Sequence, residues 1–98
     1  MPTEMDRESL EYRWWMVETP NDLSTSGVLV ALLPAEQRPL PGNWVAGVLV
    51  QENSVWWVRL LVGPGGDIEL TVGDWQEWVR ILDNPEQPLR KPGILVIT

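Results

Sequence analysis

The side chains best able to do chemistry are two acids and a base near the middle of this 98-residue chain. Asp67 lies in a predicted turn, Glu69 in the strand after it, and Arg59 on the strand before it. A pair of carboxylates is the arrangement with which glycosidases cleave sugars. A carboxylate and an arginine on one sheet face more often form a cross-strand ion pair worth less than about 1 kcal/mol. We therefore predict that the protein is not an enzyme and assign no catalytic residue.

The residue types that most catalytic and metal sites require are missing. The chain has no histidine and no cysteine, so Ser-His and Cys-His nucleophilic sites are impossible and the usual zinc ligands are absent. The glycine-rich residues 63–66 lack the lysine of a phosphate-binding loop, and the acids lack the spacing of an EF-hand. We predict no metal and no cofactor.

The net charge of −7 restricts the class of partner. An acidic surface repels phosphate backbones and anionic lipids, which predicts no nucleic-acid partner and no membrane partner. The apolar runs are far shorter than the roughly 20 residues that span a bilayer. No basic segment followed by an apolar run is evident at the N-terminus, so we predict no signal peptide and a cytoplasmic location. A basic protein partner is compatible with this charge.

The stretch from residue 44 to residue 82 organises the predicted fold. Residues 44–50 and 55–62 are apolar and rich in valine and tryptophan, which favours strands, and the polar residues between them suit a hairpin loop. Residues 63–67 contain glycine and proline and predict a turn. Residues 68–72 then alternate apolar and polar side chains, as in a strand with one wet face.

The register predicted for these strands pairs Val50 with Val55 and Val62 with Ile68. It gives one apolar core face and a second face, the mixed face, which is apolar but contains an arginine and an acid. The core face is predicted to carry Val45, Leu49, Trp56, Val58, Leu60, Val62, Ile68, Leu70 and Val72. The mixed face is predicted to carry Trp44, Ala46, Val48, Val50, Val55, Trp57, Arg59, Leu61, Glu69 and Thr71. A slip of one residue would mix the two sets, so the pattern itself selects the register.

The mixed face is the predicted functional surface. Its candidate interface residues are Trp44, Trp57, Arg59, Leu61 and Glu69. Because tryptophan and arginine are enriched at interface hot spots, we predict an interaction domain that self-associates as a homodimer through this face or through an edge strand. One alternative is a pocket in which Trp44 and Trp57 stack on a sugar or an aromatic compound. Another is an acidic inhibitor of a basic protein.

Residues 74–83 predict a short amphipathic helix. Their apolar side chains recur at helical spacing, and Asp74 followed three residues later by Glu77 resembles a capping box. Asn84 and Pro85 would end this helix, because the residue before a proline avoids helical geometry. The stripe that would pack on the sheet consists of Trp75, Trp78, Val79 and Leu82.

The N-terminal part of the chain permits two interpretations. Residues 11–17 have strand composition, with Tyr12, Trp14 and Met16 on one side, while a helix over residues 3–17 is the competing prediction. Residues 1–10 are expected to form a flexible arm or a first helical turn. A turn is predicted over residues 19–22, which contain Pro and Asn.

Two further apolar segments complete the predicted fold. Residues 28–33 form a continuous apolar run, which predicts a strand covered on both faces, and a proline-rich loop follows over residues 34–43. Residues 94–97 predict a final strand that must be paired and covered. The chain is thus expected to form one domain over residues 1–98. Its predicted class is α+β and predominantly antiparallel, with about six strands in a curled sheet or small SH3-like barrel and one helix.

Overall fold

A computed structural model describes residues 3–18, 22–24, 26–83 and 87–98. Residues 19–21 of the predicted turn and the predicted helix end at residues 84–85 lie outside the described residues. The described parts of the chain contain nine strands and a single 3₁₀ turn, Pro41–Asn43. The strands are β1 (Thr3–Met5), β2 (Glu11–Val17), β3 (Gly27–Pro34), β4 (Val45–Ala46), β5 (Val48–Glu52), β6 (Val55–Val62), β7 (Gly73–Leu82), β8 (Leu89–Arg90) and β9 (Ile94–Ile97).

The nine strands form two sheets. Sheet A has the order β1-β9-β7-β3-β4, with β8 also paired to β7, and sheet B has the order β2-β6-β5. Strand β1 runs parallel to β9, and the other named pairs are antiparallel. The predominantly antiparallel arrangement is confirmed. The prediction of an α+β fold, with about six strands in a curled sheet or SH3-like barrel and one helix, is wrong, because the described chain is nearly all β and divides into two sheets.

The segment predicted as a helix over residues 74–83 is the central strand of sheet A. Strand β7 pairs with β3 on one edge and with β9 and β8 on the other. Its inward positions alternate as Trp75, Glu77, Val79 and Ile81, which is a strand period interrupted by one acid. Glu77 is a charged residue at an inward position where a strand normally has an apolar one. The sequence therefore does not show a clear apolar–polar alternation over this segment, and the helical spacing of its apolar residues is the stronger signal. Hydrogen bonding from both neighbouring strands outweighs the local preference.

The main core lies between the two sheets. Sheet A contributes Val30 and Leu95, and sheet B contributes Val58, Leu60 and Val62, all of which are essentially without solvent exposure. Each such side chain stabilises the fold by about 1.5–3 kcal/mol through burial. The core therefore holds sheet B against the inner face of sheet A.

A second, smaller cluster covers the outer face of sheet A. Trp78 is only 3% exposed and packs with Ala31 and Leu33. Trp44, which follows the proline-rich loop, and Leu89 of β8 lie against them. The prediction that residues 28–33 form a strand covered on both faces is confirmed, because β3 packs on the main core with one face and on this cluster with the other.

The predicted strand over residues 44–50 is divided between the sheets. Val45 and Ala46 pair with β3 in sheet A, whereas Val48 begins β5 in sheet B. The chain changes sheets at Gly47, where an added Cβ would lie 3.1 Å from Val58 and 3.2 Å from Val30. A residue without a side chain is therefore needed at this crossing.

The hairpin between β5 and β6 is confirmed, but its register differs from the prediction by two residues. Val50 pairs with Trp57 rather than with Val55, and Glu52 pairs with Val55. The loop is Asn53 and Ser54, with φ of 50° and 66°, as a type I′ turn requires. A shift of two residues keeps every side chain of β5 and β6 on its predicted face.

The predicted strand over residues 68–72 is wrong. Ile68 forms a single parallel bridge with Val62, and the residues after it are not in a strand. Both Asp67 and Ile68 donate their amides to the carbonyl of Leu61, and Asp67 also accepts a hydrogen bond from the Leu61 amide. The edge of β6 on which a third hairpin strand would have paired is occupied by β2.

Both ends of the chain join the sheets. The strand prediction for residues 11–17 is confirmed as β2, so the competing helix over residues 3–17 is wrong. Within the segment considered as a flexible arm, Thr3–Met5 form β1 beside β9. The final strand is confirmed as β9, which is paired on both sides and buries Leu95 and Ile97. In the described ranges, no helix has the length and apolar character that crossing a bilayer would require.

Candidate interaction surface

The outer face of sheet B is the side of that sheet turned away from the core. Antiparallel Cα partners place their side chains on the same face. Trp14, Arg59 and Val48 therefore form one row across the sheet, and Met16, Trp57 and Val50 form the next. The outer face of sheet B consists of Tyr12, Trp14, Met16, Val48, Val50, Glu52, Val55, Trp57, Arg59 and Leu61.

Large apolar side chains on this face are open to solvent. Met16 is 54% exposed, Tyr12 50%, Val48 47% and Trp14 39%. Three of them lie on β2 and Val48 lies on β5, and the β6 residues between them, Arg59 and Trp57, join the two sides into one patch. Contiguous exposed apolar patches of this kind mark interaction sites on soluble proteins.

Arg59 lies at the middle of the patch, on the central strand. Its guanidinium carbon is 4.7 Å from the centre of the Tyr12 ring and 5.7 Å from that of Trp14. The two rings are tilted by 55° with their centres 6.2 Å apart. Nε of Arg59 is buried and has no hydrogen-bond partner among the described residues. The guanidinium therefore lies within cation–π distance of both aromatic rings. Among the described residues, no carboxylate forms an ion pair with it.

Arg13 shows how the same residue type behaves when it points inward. Its guanidinium donates to both carboxylate oxygens of Glu77, with distances of 2.7 Å from Nε and 3.1 Å from the second nitrogen. Glu77 is 1% exposed. This bidentate ion pair connects β2 of sheet B to β7 of sheet A, so its role is to hold the sheets together. Glu77 was predicted as part of a helix cap, so the sequence pattern gave no indication of this ion pair.

The predicted site residues fall into three places. Trp57, Arg59 and Leu61 lie together on the outer face of sheet B, as predicted for the mixed face. Trp44 is instead on the outer face of sheet A, where its ring lies 4.8 Å from the guanidinium of Arg80. Glu69 is exposed in the segment after β6 and forms no ion pair with Arg59. The structure thus separates Trp44 and Glu69 from the other three.

Trp44 lines a shallow groove of about 490 Å³ on sheet A. The other lining residues are Leu29, Pro39, Pro41 and Arg80. Half-buried Trp44 and Arg80 give this groove an aromatic wall and a cation. A sugar site with Trp44 and Trp57 as two platforms is excluded, because these residues belong to opposite sheets.

The three exposed residues that β2 contributes to the patch were not among the predicted site residues. Tyr12, Trp14 and Met16 alternate along β2, and their common side was visible in the sequence. Their functional neighbours were not, because β2 pairs with β6, which lies about 45 residues later in the chain. The sequence pattern of 11–17 could have suggested a wet aromatic face, although not the arginine beside it.

No group of three acids among the described residues is placed to hold a metal ion. A hydrogen bond from the backbone amide of Ser24 lowers the pKa of Asp22 below its usual value of 3.8, but Asp22 lies in the loop before β3 and is not part of the patch. The patch offers aromatic contact area and one cation, which suits binding.

Comparison of the chain with protein-family models, with curated proteins and with solved structures finds no match.

Proposed function

We propose that the protein is a non-catalytic interaction domain that self-associates through the outer face of sheet B. The observation that carries the proposal is Arg59, a cation without a described carboxylate partner, stacked on two exposed aromatic rings. Aromatic residues and arginine are the side chains most often found at binding hot spots. A partner that covered them would bury apolar area that the isolated chain leaves in water.

The size of the patch supports a reversible complex. Three strands and about seven residues along each give a face of roughly 15 by 25 Å. A face of that footprint, about 375 Å² on each copy, would bury roughly 750 Å² in total, which is less than the roughly 1,200–2,000 Å² of stable protein–protein interfaces. Burial of apolar surface contributes about 25 cal/mol per Å² before the cost of association is subtracted. We therefore expect a dimer that dissociates on dilution.

The proposal is tested by measuring the solution mass by light scattering on a sizing column over a hundredfold concentration range. We expect the mass to rise with concentration from 11.2 kDa towards twice that value. Met16→Glu should hold the protein at the monomer mass, because it places a charge in the middle of the patch. Leu40→Glu is the matched control, since Leu40 is 68% exposed and lies far from sheet B in the chain's proline-rich loop. A wild-type protein that stays monomeric throughout would contradict the proposal.

A second candidate function is supported by the groove at Trp44. An aromatic wall beside the Arg80 guanidinium suits a sugar or an aromatic compound, particularly one that carries a carboxylate. Titration of such compounds should then change tryptophan fluorescence in a saturable way. Trp44→Phe should reduce that change, while Trp57→Phe should leave it. A flat response across the panel would remove this candidate.

A cytoplasmic location belongs to the same proposal. The chain has no cysteine with which an oxidising compartment could form stabilising disulfides. Detection of the tagged protein in a cell fraction that contains cytoplasmic markers would agree with this.

A further inference from the structure

The outer face of sheet B carries opposite charges at its two ends. Arg59 lies in the row formed with Trp14 and Val48. Glu52 lies at the hairpin end, where it pairs with Val55 and therefore shares the same face. Glu52 is exposed, so its carboxylate is available to a partner. The face therefore has a positive half and a negative end.

The row of Met16, Trp57 and Val50 lies midway between these charges. Arg59 is two residues from Trp57 in one direction along β6, and Val55, the partner of Glu52, is two residues away in the other. Each of these steps is about 7 Å long. A rotation of 180° about this middle row would therefore exchange the position of Arg59 with that of Val55 and its neighbour Glu52.

Two copies can stack these faces about a two-fold axis in either of two simple ways. An axis parallel to the strands places each residue of β6 opposite its own counterpart, so that Arg59 meets the Arg59 of the second copy. An axis along the middle row reverses the strand direction, so that Arg59 lies above Val55 and beside Glu52 of the second copy. The first arrangement brings like charges together, whereas the second pairs opposite charges twice.

We propose that two copies of the chain pack outer face to outer face about an axis along the Met16–Trp57–Val50 row, with Arg59 of each copy paired to Glu52 of the other. This inference rests on the proposed function, because it specifies the partner and the geometry of the same surface. In the isolated chain the guanidinium of Arg59 lies against Tyr12 and Trp14 on the β2 side of β6. In the dimer the side chain turns towards β5, where the second copy supplies the carboxylate that Arg59 lacks within the described chain. An edge-to-edge complex through β2 would leave this cation unpaired.

The geometry is tested by exchanging the two charges within one chain. Glu52→Arg and Arg59→Glu, each alone, should raise the dimer dissociation constant about 10- to 100-fold, because both symmetric pairs become repulsive. The chain with both substitutions should dimerise within about threefold of the wild type, since it keeps the net charge and restores both pairs. Glu69→Arg is the matched control for Glu52→Arg, because Glu69 is exposed but lies outside sheet B, and it should leave the dissociation constant within about twofold. Circular dichroism of each variant checks that it is folded.

Three results would overturn the geometry. If the doubly substituted chain is as weakened as the single variants while Met16→Glu still abolishes the dimer, the face is correct but the axis is wrong. If neither single substitution changes the dissociation constant of a wild-type dimer, Arg59 and Glu52 do not meet. If the wild type remains monomeric at every concentration, the proposed function fails and the geometry fails with it.

Discussion

The outer faces of the two sheets are built from the same kinds of side chain but differ in what covers them. On sheet A, Trp78 is 3% exposed beneath Trp44 and Leu89, and Arg38 and Lys91 lie over its ring at 5.4 and 4.9 Å. On sheet B, Trp14 is 39% exposed and no described segment of the chain lies over it.

The difference between the faces follows from where the loops lie. The proline-rich residues 34–43 follow β3 and lead to Trp44, and strand β8 follows β7 and contains Leu89. Both apolar side chains pack on the outer face of sheet A. Sheet B is joined by a two-residue hairpin that supplies no such cover. Tryptophan and arginine therefore serve folding on sheet A and, in our proposal, association on sheet B.

The largest expected effect comes from truncating Trp78, the buried tryptophan on the outer face of sheet A. Trp78→Ala should lower the free energy of unfolding by about 3–5 kcal/mol, because it leaves a cavity under Trp44 and Leu89. Trp14→Ala should lower it less, by about 1–2 kcal/mol, since 39% of that residue is already exposed to solvent. Urea denaturation at a concentration that favours the monomer measures both. Equal losses would mean that the two faces are covered alike.

The second prediction compares two arginines of sheet B: Arg13, which faces the core, and Arg59, which lies on the outer face. Arg13→Ala should lower the free energy of unfolding by about 2–4 kcal/mol, because it leaves the buried carboxylate of Glu77 without its partner; the 25% exposure of Arg13 keeps the loss below that of a fully buried pair. Arg59→Ala should cost less than about 1 kcal/mol and act on association instead. Urea denaturation of the two variants measures both losses of stability. A larger loss at Arg59 would show that its stacking is structural.

The third effect lies where the chain passes from the covered sheet to the uncovered one. Gly47→Ala should destabilise the fold by about 1–3 kcal/mol, because its Cβ would press on Val28, Val30 and Val58 at 3.1–3.3 Å. Gly42→Ala is the control, since an added Cβ there meets nothing within 4 Å. Thermal unfolding of both variants makes the comparison. Equal midpoints would mean that the crossing at Gly47 is not tightly packed.

A smaller effect, of opposite sign, is expected in the hairpin of sheet B. Ser54 has φ of 66°, a conformation that glycine adopts without the steric cost of a Cβ. Ser54→Gly should therefore stabilise the fold by about 0.5–1 kcal/mol. Gln51→Gly, in the adjoining strand, should destabilise it by a similar amount. Loss of stability in both variants would argue against the I′ turn.

The smallest effect concerns acid stability and should involve neither face. The hydrogen bond from the Ser24 amide lowers the pKa of Asp22, so the folded state binds its proton less readily than the unfolded chain. Asp22 therefore stabilises the fold at neutral pH, and this contribution is lost as the pH falls below 3.8 through its lowered pKa. Asp22→Ala should lower the unfolding midpoint slightly at pH 7 and not at acid pH. A difference that persists at pH 2 would assign the effect to something other than the carboxylate.

The sequence alone determined some of the strands and the side chains that share a face. Apolar, β-prone runs and turn residues were sufficient for β3, β6, β9 and the hairpin at Asn53, because these patterns are local, whereas for β2 they left a helix as the alternative. The sequence likewise determined that Trp57, Arg59 and Leu61 share one face, since even the error of two residues in the register leaves the alternation intact.

Only the tertiary structure decided which strands became neighbours. Residues 74–83 have helical spacing, but pairing with β3 and β9 made them a strand, and the partner of Glu77 is Arg13, 64 residues away. Trp44 and Trp57 share an apparent face in the sequence, yet the chain changes sheets at Gly47 and places them on opposite sides of the molecule. Contacts between distant segments are set by the packing of the whole core, and no local pattern records them.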